Sequence, residues 1–271
     1  MCEKITSVED FLRSVKRHYK DWGTKNHPWF RGEPFSETPL LPSLYRSAHD
    51  ENQLVQFFRR KAPWLSYAID RDKTSEWLFL MQHVRMPTRL LDWTEGAIIA
   101  LYFALSEQTE ENKNKPKNDN ERNPVVWMLD PIELNKLAGL ISTKRDEFPL
   151  EWFQPHCDDT NPANLCFRAA WEKDREKDPG DRIAPELPIA VQPTNIHPRM
   201  AAQRSCFTVH GKREQSLHVL LKEKSFKYLQ RHVVDAGKLD EMLYDLRILG
   251  VSHSTLFPDL DGLAADLKSR F

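Results

Sequence analysis

An α+β fold in a single domain is predicted by three features of the sequence. Helical patterns come first, short apolar strands then alternate with helices, and no linker or internal repeat divides the 271 residues. The domain is expected to fill residues 1–271, with its core over about 24–267 and a flexible loop over 107–123. Residues 82–95 (QHVRMPTRLLDWTE) concentrate charge and hydrogen-bonding groups on a predicted strand between two apolar helices. Polar groups at the edge of a dry core are costly unless they bind a ligand or pair with one another, so the functional site is sought there.

The elements follow in order. Thr6 or Ser7 caps a first helix, with Asp10 placed for a capping box and Val8, Phe11, Leu12 and Val15 as its buried stripe. Trp29 to Gly32 reads as a strand, and Pro34, Pro39 and Pro42 hold the next stretch extended. Residues 51–70 are helical around a break at Pro63, with Leu54, Phe57 and Phe58 at helical spacing. Residues 75–83 form another helix that turns Trp77, Leu78 and Met81 inward. Thr88 to Trp93 is a strand, and residues 95–106 form a helix buried all round. Residues 107–123 contain no apolar side chain and cannot offset the entropy of ordering. Strands follow at 125–129, 189–193, 206–210 and 226–234, with helices at 131–140, 239–249 and 262–269. Gly250 closes the second of these helices, and Asp259 or Asp261 caps the third. Phe148 to Ala184 mixes aromatic, acidic and proline residues, and is read as a candidate lid.

Composition narrows the function classes. The formal net charge is −1, so no global field steers the chain toward nucleic acid or membrane, although a local basic groove stays open. No apolar run approaches the roughly 20 residues that span a bilayer, and no signal-like stretch follows Met1, so a cytoplasmic location is expected. Cys2, Cys157, Cys166 and Cys206 lack paired spacing, which makes packing thiols the better reading than a zinc site built with His156 and His210. Nucleotide-loop, zincin and serine-hydrolase motifs are all absent.

Three constellations remain. Arg31, between Phe30 and Gly32, either offers its planar fork to a phosphate or pairs an acid such as Asp92. Gly32 permits close backbone approach or a positive φ. On a strand, Asp92 and Thr94 share one face while Arg89 shares the other with Leu91 and Trp93. Asp92 and Thr94 can serve a ligand, or cap the following helix, whose N-terminus is itself suited to phosphate. Residues 197–205 are basic, and Arg199, Arg204 and Gln203 can receive an anionic ligand or form a solvated loop.

In order along the chain, Trp29-Phe30-Arg31-Gly32, Leu41-Pro42-Ser43-Leu44-Tyr45-Arg46, Gln82-His83, Pro87 to Thr94, Ala100 to Ala104, Pro198-Arg199-Met200 with Gln203, and Leu256 to Leu263 resemble the FRG domain family. Ser205 stands where that family tends to carry glycine. A more distant resemblance is to the ADP-ribosyltransferase fold. It implies a split, mixed or antiparallel sheet flanked by helices, with NAD in a cleft between two small sheets. In that likeness Arg31 corresponds to the first-strand arginine and Asp92-Trp93-Thr94 to the strand before a buried helix. Gln203 or Ser205 stands where a glutamate is expected, and Glu95 is the first substitute for that acid. The implied catalytic set is Arg31, Asp92, Thr94 and Gln203, and the implied nucleotide contacts are Arg31, Gly32, His83, Arg89, Thr94, Glu95 and Arg199. The resemblance implies a nucleotide ligand, an NAD-dependent transferase or glycohydrolase, a nucleic-acid or protein acceptor, and a toxin or anti-phage setting. The alternative is a non-catalytic recognition module built on the same cleft.

Overall fold

The computed structural model describes residues 4–64, 74–107, 123–139, 187–193, 197–211 and 213–269. The candidate lid at 148–184 and nearly all of the predicted loop at 107–123 lie outside these residues.

Six strands form one sheet in the order β4-β5-β2-β1-β3-β6, and every neighbouring pair is antiparallel. They are β1 (Trp29–Glu33), β2 (Leu90–Thr94), β3 (Val125–Leu129), β4 (Ile189–Val191), β5 (Ser205–Val209) and β6 (Leu229–Val233). Among the described residues ten α-helices accompany them: α1 (Val8–Trp22), α2 (Glu51–Lys61), α3 (Thr74–His83), α4 (Ala97–Ser106), α5 (Pro131–Leu137), α6 (Pro198–Ala202), α7 (Leu217–Glu223), α8 (Leu239–Ile248), α9 (His253–Leu256) and α10 (Leu260–Lys268). The α+β expectation therefore holds. Of the expected split, mixed or antiparallel sheet, the antiparallel pairing is found and the split is not, because the six strands form a single sheet.

That sheet nearly parts at one seam. β1 matches β3 over five residue pairs, and β2 matches β5 over five, but β1 and β2 share only Phe30 opposite Thr94. Continued in register, Gly32 would face Asp92 across the seam. Instead Arg31 reaches over with its side chain, and its NH1 donates to the Asp92 carbonyl oxygen at 2.7 Å. A side-chain donor thus satisfies a carbonyl that the interrupted ladder leaves without its backbone partner.

Of the predicted caps, Ser7 Oγ accepts from the Asp10 amide and starts α1, without the reciprocal bond of a capping box, and Asp259 caps α10. Asp130, which was not singled out in the sequence, caps α5 ahead of Pro131. Gly250 closes α8 at φ 82°. Helix α4 is apolar on every side because it lies between the sheet and α1 and α8, where Phe11, Phe30, Leu101, Met128 and Met242 form one core. Gly32 is what lets it come so close: a Cβ there would stand 2.0 Å from the Ala100 carbonyl oxygen. Close approach, not positive φ, therefore explains this glycine. On the opposite side Trp29, Leu91, Trp93 and Trp127 pack with Leu134 and Leu217. Phe57 corrects the predicted stripe of α2: it is 52% exposed, and Val55 is the buried residue.

Candidate functional site

Where β1 and β2 part, a cleft of about 240 Å³ opens between the strand ends, α3, α6 and the C-terminus of α4. It is smaller than the roughly 300–1,000 Å³ pockets that enclose a drug-sized ligand. The cleft is open on one side, so it can enclose one end of a dinucleotide while the rest extends outside it. Arg31, Gly32, His83, Asp92, Thr94, Arg199 and Gln203 all line it. Three remote stretches of chain therefore converge, because β2 is paired with both β1 and β5 and α6 leads directly into β5.

Asp92 is held from two sides, by Gln82 and by Arg31. Its Oδ2 accepts from Gln82 Nε2 at 2.6 Å, and Gln82 Oε1 in turn accepts from the Thr88 hydroxyl. Arg31 NH1 lies 3.8 Å from the same carboxylate, and Arg31 Nε donates to Glu33 at 2.6 Å. The Asp92 side chain is 52% exposed, but only into a concave space walled by protein. That enclosure pushes its pKa up, against the opposing pull of Arg31 and of the Gln82 hydrogen bond. Glu107, on the same cleft, is raised by burial too, with Arg31 pulling it down and Glu33 adding to the rise. For Arg31, burial opposes the charge, but Glu33 and Asp92 outweigh it and keep its pKa above the ordinary value.

The opposite wall is basic and aromatic. Arg199 donates to Asp259 at 2.7 Å and lies 4.8 Å over the Phe257 ring. Its Nε is buried and has no hydrogen-bond partner among the described residues. His83 and His197 lie with ring centroids 3.8 Å apart. Burial first, then the charges of His197 and Arg199, lower the His83 pKa to about 4, so this ring is neutral near pH 7.

Thr94 and Gln203 reach the cleft but are bound internally. The Thr94 hydroxyl donates to the Gln203 carbonyl at 2.7 Å and accepts from the Gly96 amide at 3.0 Å. Gln203 Nε2 donates to the Leu256 carbonyl at 3.1 Å. These bonds fasten the α6–β5 turn to the end of β2. The sharp point of that turn is Arg204, at φ 49°, while Ser205 already begins β5.

Two sequence candidates lie elsewhere. Arg89 is buried against α2, where Nε and NH2 grip the Glu51 carboxylate at 2.9 and 2.6 Å and NH1 donates to the His210 carbonyl. Glu95 accepts from Gln192 at 3.0 Å and pairs with Arg204 at 3.4 Å, and it does not line the cleft. It is therefore not placed to replace the missing glutamate. No cluster of potential metal ligands occurs among the described residues, and Cys206 is a free, buried thiol within the sheet.

Glu33, Phe79, Phe103, Glu107 and Phe257 also line the cleft and were not singled out in the sequence, and Arg85 was included only as part of residues 82–95. Only Glu33 carried a signal, since it follows Arg31 by two on a strand and so shares its face. Among the described residues, no helix is long and apolar enough to cross a membrane. No curated protein and no solved structure matches the chain. Residues 26–113, which hold Arg31, Gln82, Asp92, Thr94 and the packed helix α4, match the FRG domain family model, and the chain therefore carries an FRG domain.

Proposed function

We propose that the cleft binds the nicotinamide–ribose end of NAD or a similar nucleotide, and that Asp92 assists cleavage of its glycosidic bond. The observation that carries this reading is Asp92 itself: a carboxylate fixed by Gln82 and Arg31, half open, and enclosed where a reacting sugar would lie. A first-strand arginine, a threonine ending the strand before a buried helix, and the start of a later strand meet at one seam, as the ADP-ribosyltransferase likeness implies. In this step the C1′–N1 bond breaks and its electron pair leaves on nicotinamide. Water or an acceptor then donates a lone pair to C1′ and loses a proton. Asp92 stabilises the developing positive charge of the sugar and takes that proton. The Arg199 and Arg85 side chains, which line the cleft, receive the phosphates, while Arg31 and Gln82 hold Asp92 in place.

The test is release of nicotinamide from NAD by the full chain. Asp92→Asn is expected to lower the rate about 10²- to 10³-fold, as loss of one preorganised electrostatic group does. An unchanged rate in that variant, or no release by the wild type, would overturn the reading. A role as toxin or anti-phage effector adds a cellular expectation, namely growth arrest on expression that Asp92→Asn relieves.

A second reading, nucleotide recognition without turnover, is favoured by one observation. The Thr94 hydroxyl and the Gln203 amide are both occupied by backbone partners, which leaves them as supports rather than reacting groups. Saturable binding of NAD with no nicotinamide release would establish it.

A further inference from the structure

A second surface, outside the cleft, has the composition of a strand-binding track. Phe57 on the outer side of α2 is 52% exposed, and the Arg60 guanidinium lies 5.0 Å over its ring. Beside them is a shallow depression walled by Leu54, Phe57, Phe58, Met86 and Lys61. Arg46, Arg60, Lys61 and Arg85 are exposed around it, and none has an ion-pair partner among the described residues. The acid on the rim is Asp50, and its carboxylate already caps α2 through the Gln53 amide. Among the described residues Arg46, Arg60 and Lys61 thus stand near one acid, Asp50, whose carboxylate is occupied, and form a local basic patch on a chain whose net charge is −1, while Arg85 also faces Glu107 of the cleft.

The patch also leads to the cleft. Met86 belongs to the depression, and its neighbour Arg85 lines the cleft. Arg85 sits at φ 62° in the turn that ends α3, closed by the bonds Arg85 N to Gln82 O and Met86 N to Met81 O. Glycine is the residue that adopts this position without strain. A long cation is held there at a conformational cost, lining the cleft next to Met86 of the depression.

We propose that this surface binds single-stranded nucleic acid and directs the strand toward the cleft. Every base has a π face that can stack on an exposed aromatic ring, and a spaced set of cations neutralises the phosphates that follow. An acidic peptide would use the cations but leave the aromatic ring and the apolar depression unfilled. Strand binding requires no turnover in the cleft. If turnover occurs, the bound strand is the acceptor.

The experiment is fluorescence anisotropy of the full chain with a labelled oligothymidylate of about 20 nucleotides. Saturable binding is expected, weakening with salt at a log–log slope of about 2–3 for three to four phosphates neutralised. Phe57→Ala is expected to weaken it about ten-fold, the effect of losing one stacked base. Arg60→Glu combined with Lys61→Glu should abolish it, while Asp92→Asn leaves it unchanged. Thermal melts of each variant confirm that it is folded, and Arg85→Gln gives a second, conservative test of the same track. No saturable binding, equal affinity for duplex or poly-glutamate, or affinity unmoved in Phe57→Ala and Arg85→Gln would each overturn the proposal. Nicotinamide release is scored separately, so failure of strand binding and failure of the cleft chemistry are distinguishable.

Discussion

Arg31 and Arg89 stand in similar places and have different surroundings. Each is a strand-region arginine gripping a glutamate, Glu33 in one case and Glu51 in the other, and each also donates to a backbone carbonyl across the sheet. The Arg89 pair is closed on all sides, with side-chain exposures of 9% and 6%, so it works as an internal fastener between α2 and the sheet. The Arg31 pair lies at the seam where β1 and β2 part, and the Arg31 side chain, which lines the cleft, is 17% exposed. The difference teaches that charge at the edge of a dry core stays open to a cleft where the ladder beside it is broken. An arginine beside an intact ladder holds the fold together.

The largest expected effect comes from the closed pair. Glu51→Ala leaves Arg89 buried without its partner and should cost about 3–5 kcal/mol in urea denaturation. Glu33→Ala should cost less, about 2 kcal/mol, because water from the cleft reaches Arg31 and solvates the orphaned charge. Equal losses would erase the distinction between the two sites. Gly32→Ala falls in the same range, about 1–3 kcal/mol, because the new methyl meets the α4 backbone and must push the helix off the seam.

Smaller effects concern titration. The Asp92 pKa is raised in the folded chain, so the native state binds the extra proton. Stability therefore falls as pH rises through the interval between the ordinary aspartate value and the raised one. Asp92→Asn should remove that fall and leave the melting temperature equal or higher, while nicotinamide release drops. His83 has the opposite sign. Its pKa is lowered from 6.5 to about 4, so the unfolded chain binds the proton more readily and stability is lost as pH falls through that window. His83→Phe should flatten the melting profile there. The smallest expected effect is Arg85→Gly, which relieves a left-handed residue and should stabilise the chain by up to about 1 kcal/mol.

Much of this arrangement was legible because it rests on local chemistry. Ser7 and Asp259 cap, Gly250 terminates, and the period-two reading of residues 88–94 sets Asp92 and Thr94 on one side, where both meet the cleft. Pairing across the sheet was not legible. Nothing near Arg89 in sequence announces Glu51, 38 residues away, and nothing near Glu95 announces Gln192, 97 residues away. Glu107 and Phe257 joined the cleft for the same reason: their place depends on how α4 and α9 pack, not on their neighbours in the chain. Phe57 misled because its helical spacing fits an inward stripe, whereas the sheet is met by Val55 one turn-face away.

The account depends most on the cleft at the β1–β2 seam accepting a nucleotide, whether or not it is then cleaved. Isothermal titration of the full chain with ADP-ribose tests this directly. One saturable site is expected, lost in Arg199→Ala and retained in the buried-pair variant Arg89→Lys. No detectable heat at any concentration reached, or binding that survives Arg199→Ala unchanged, would contradict it.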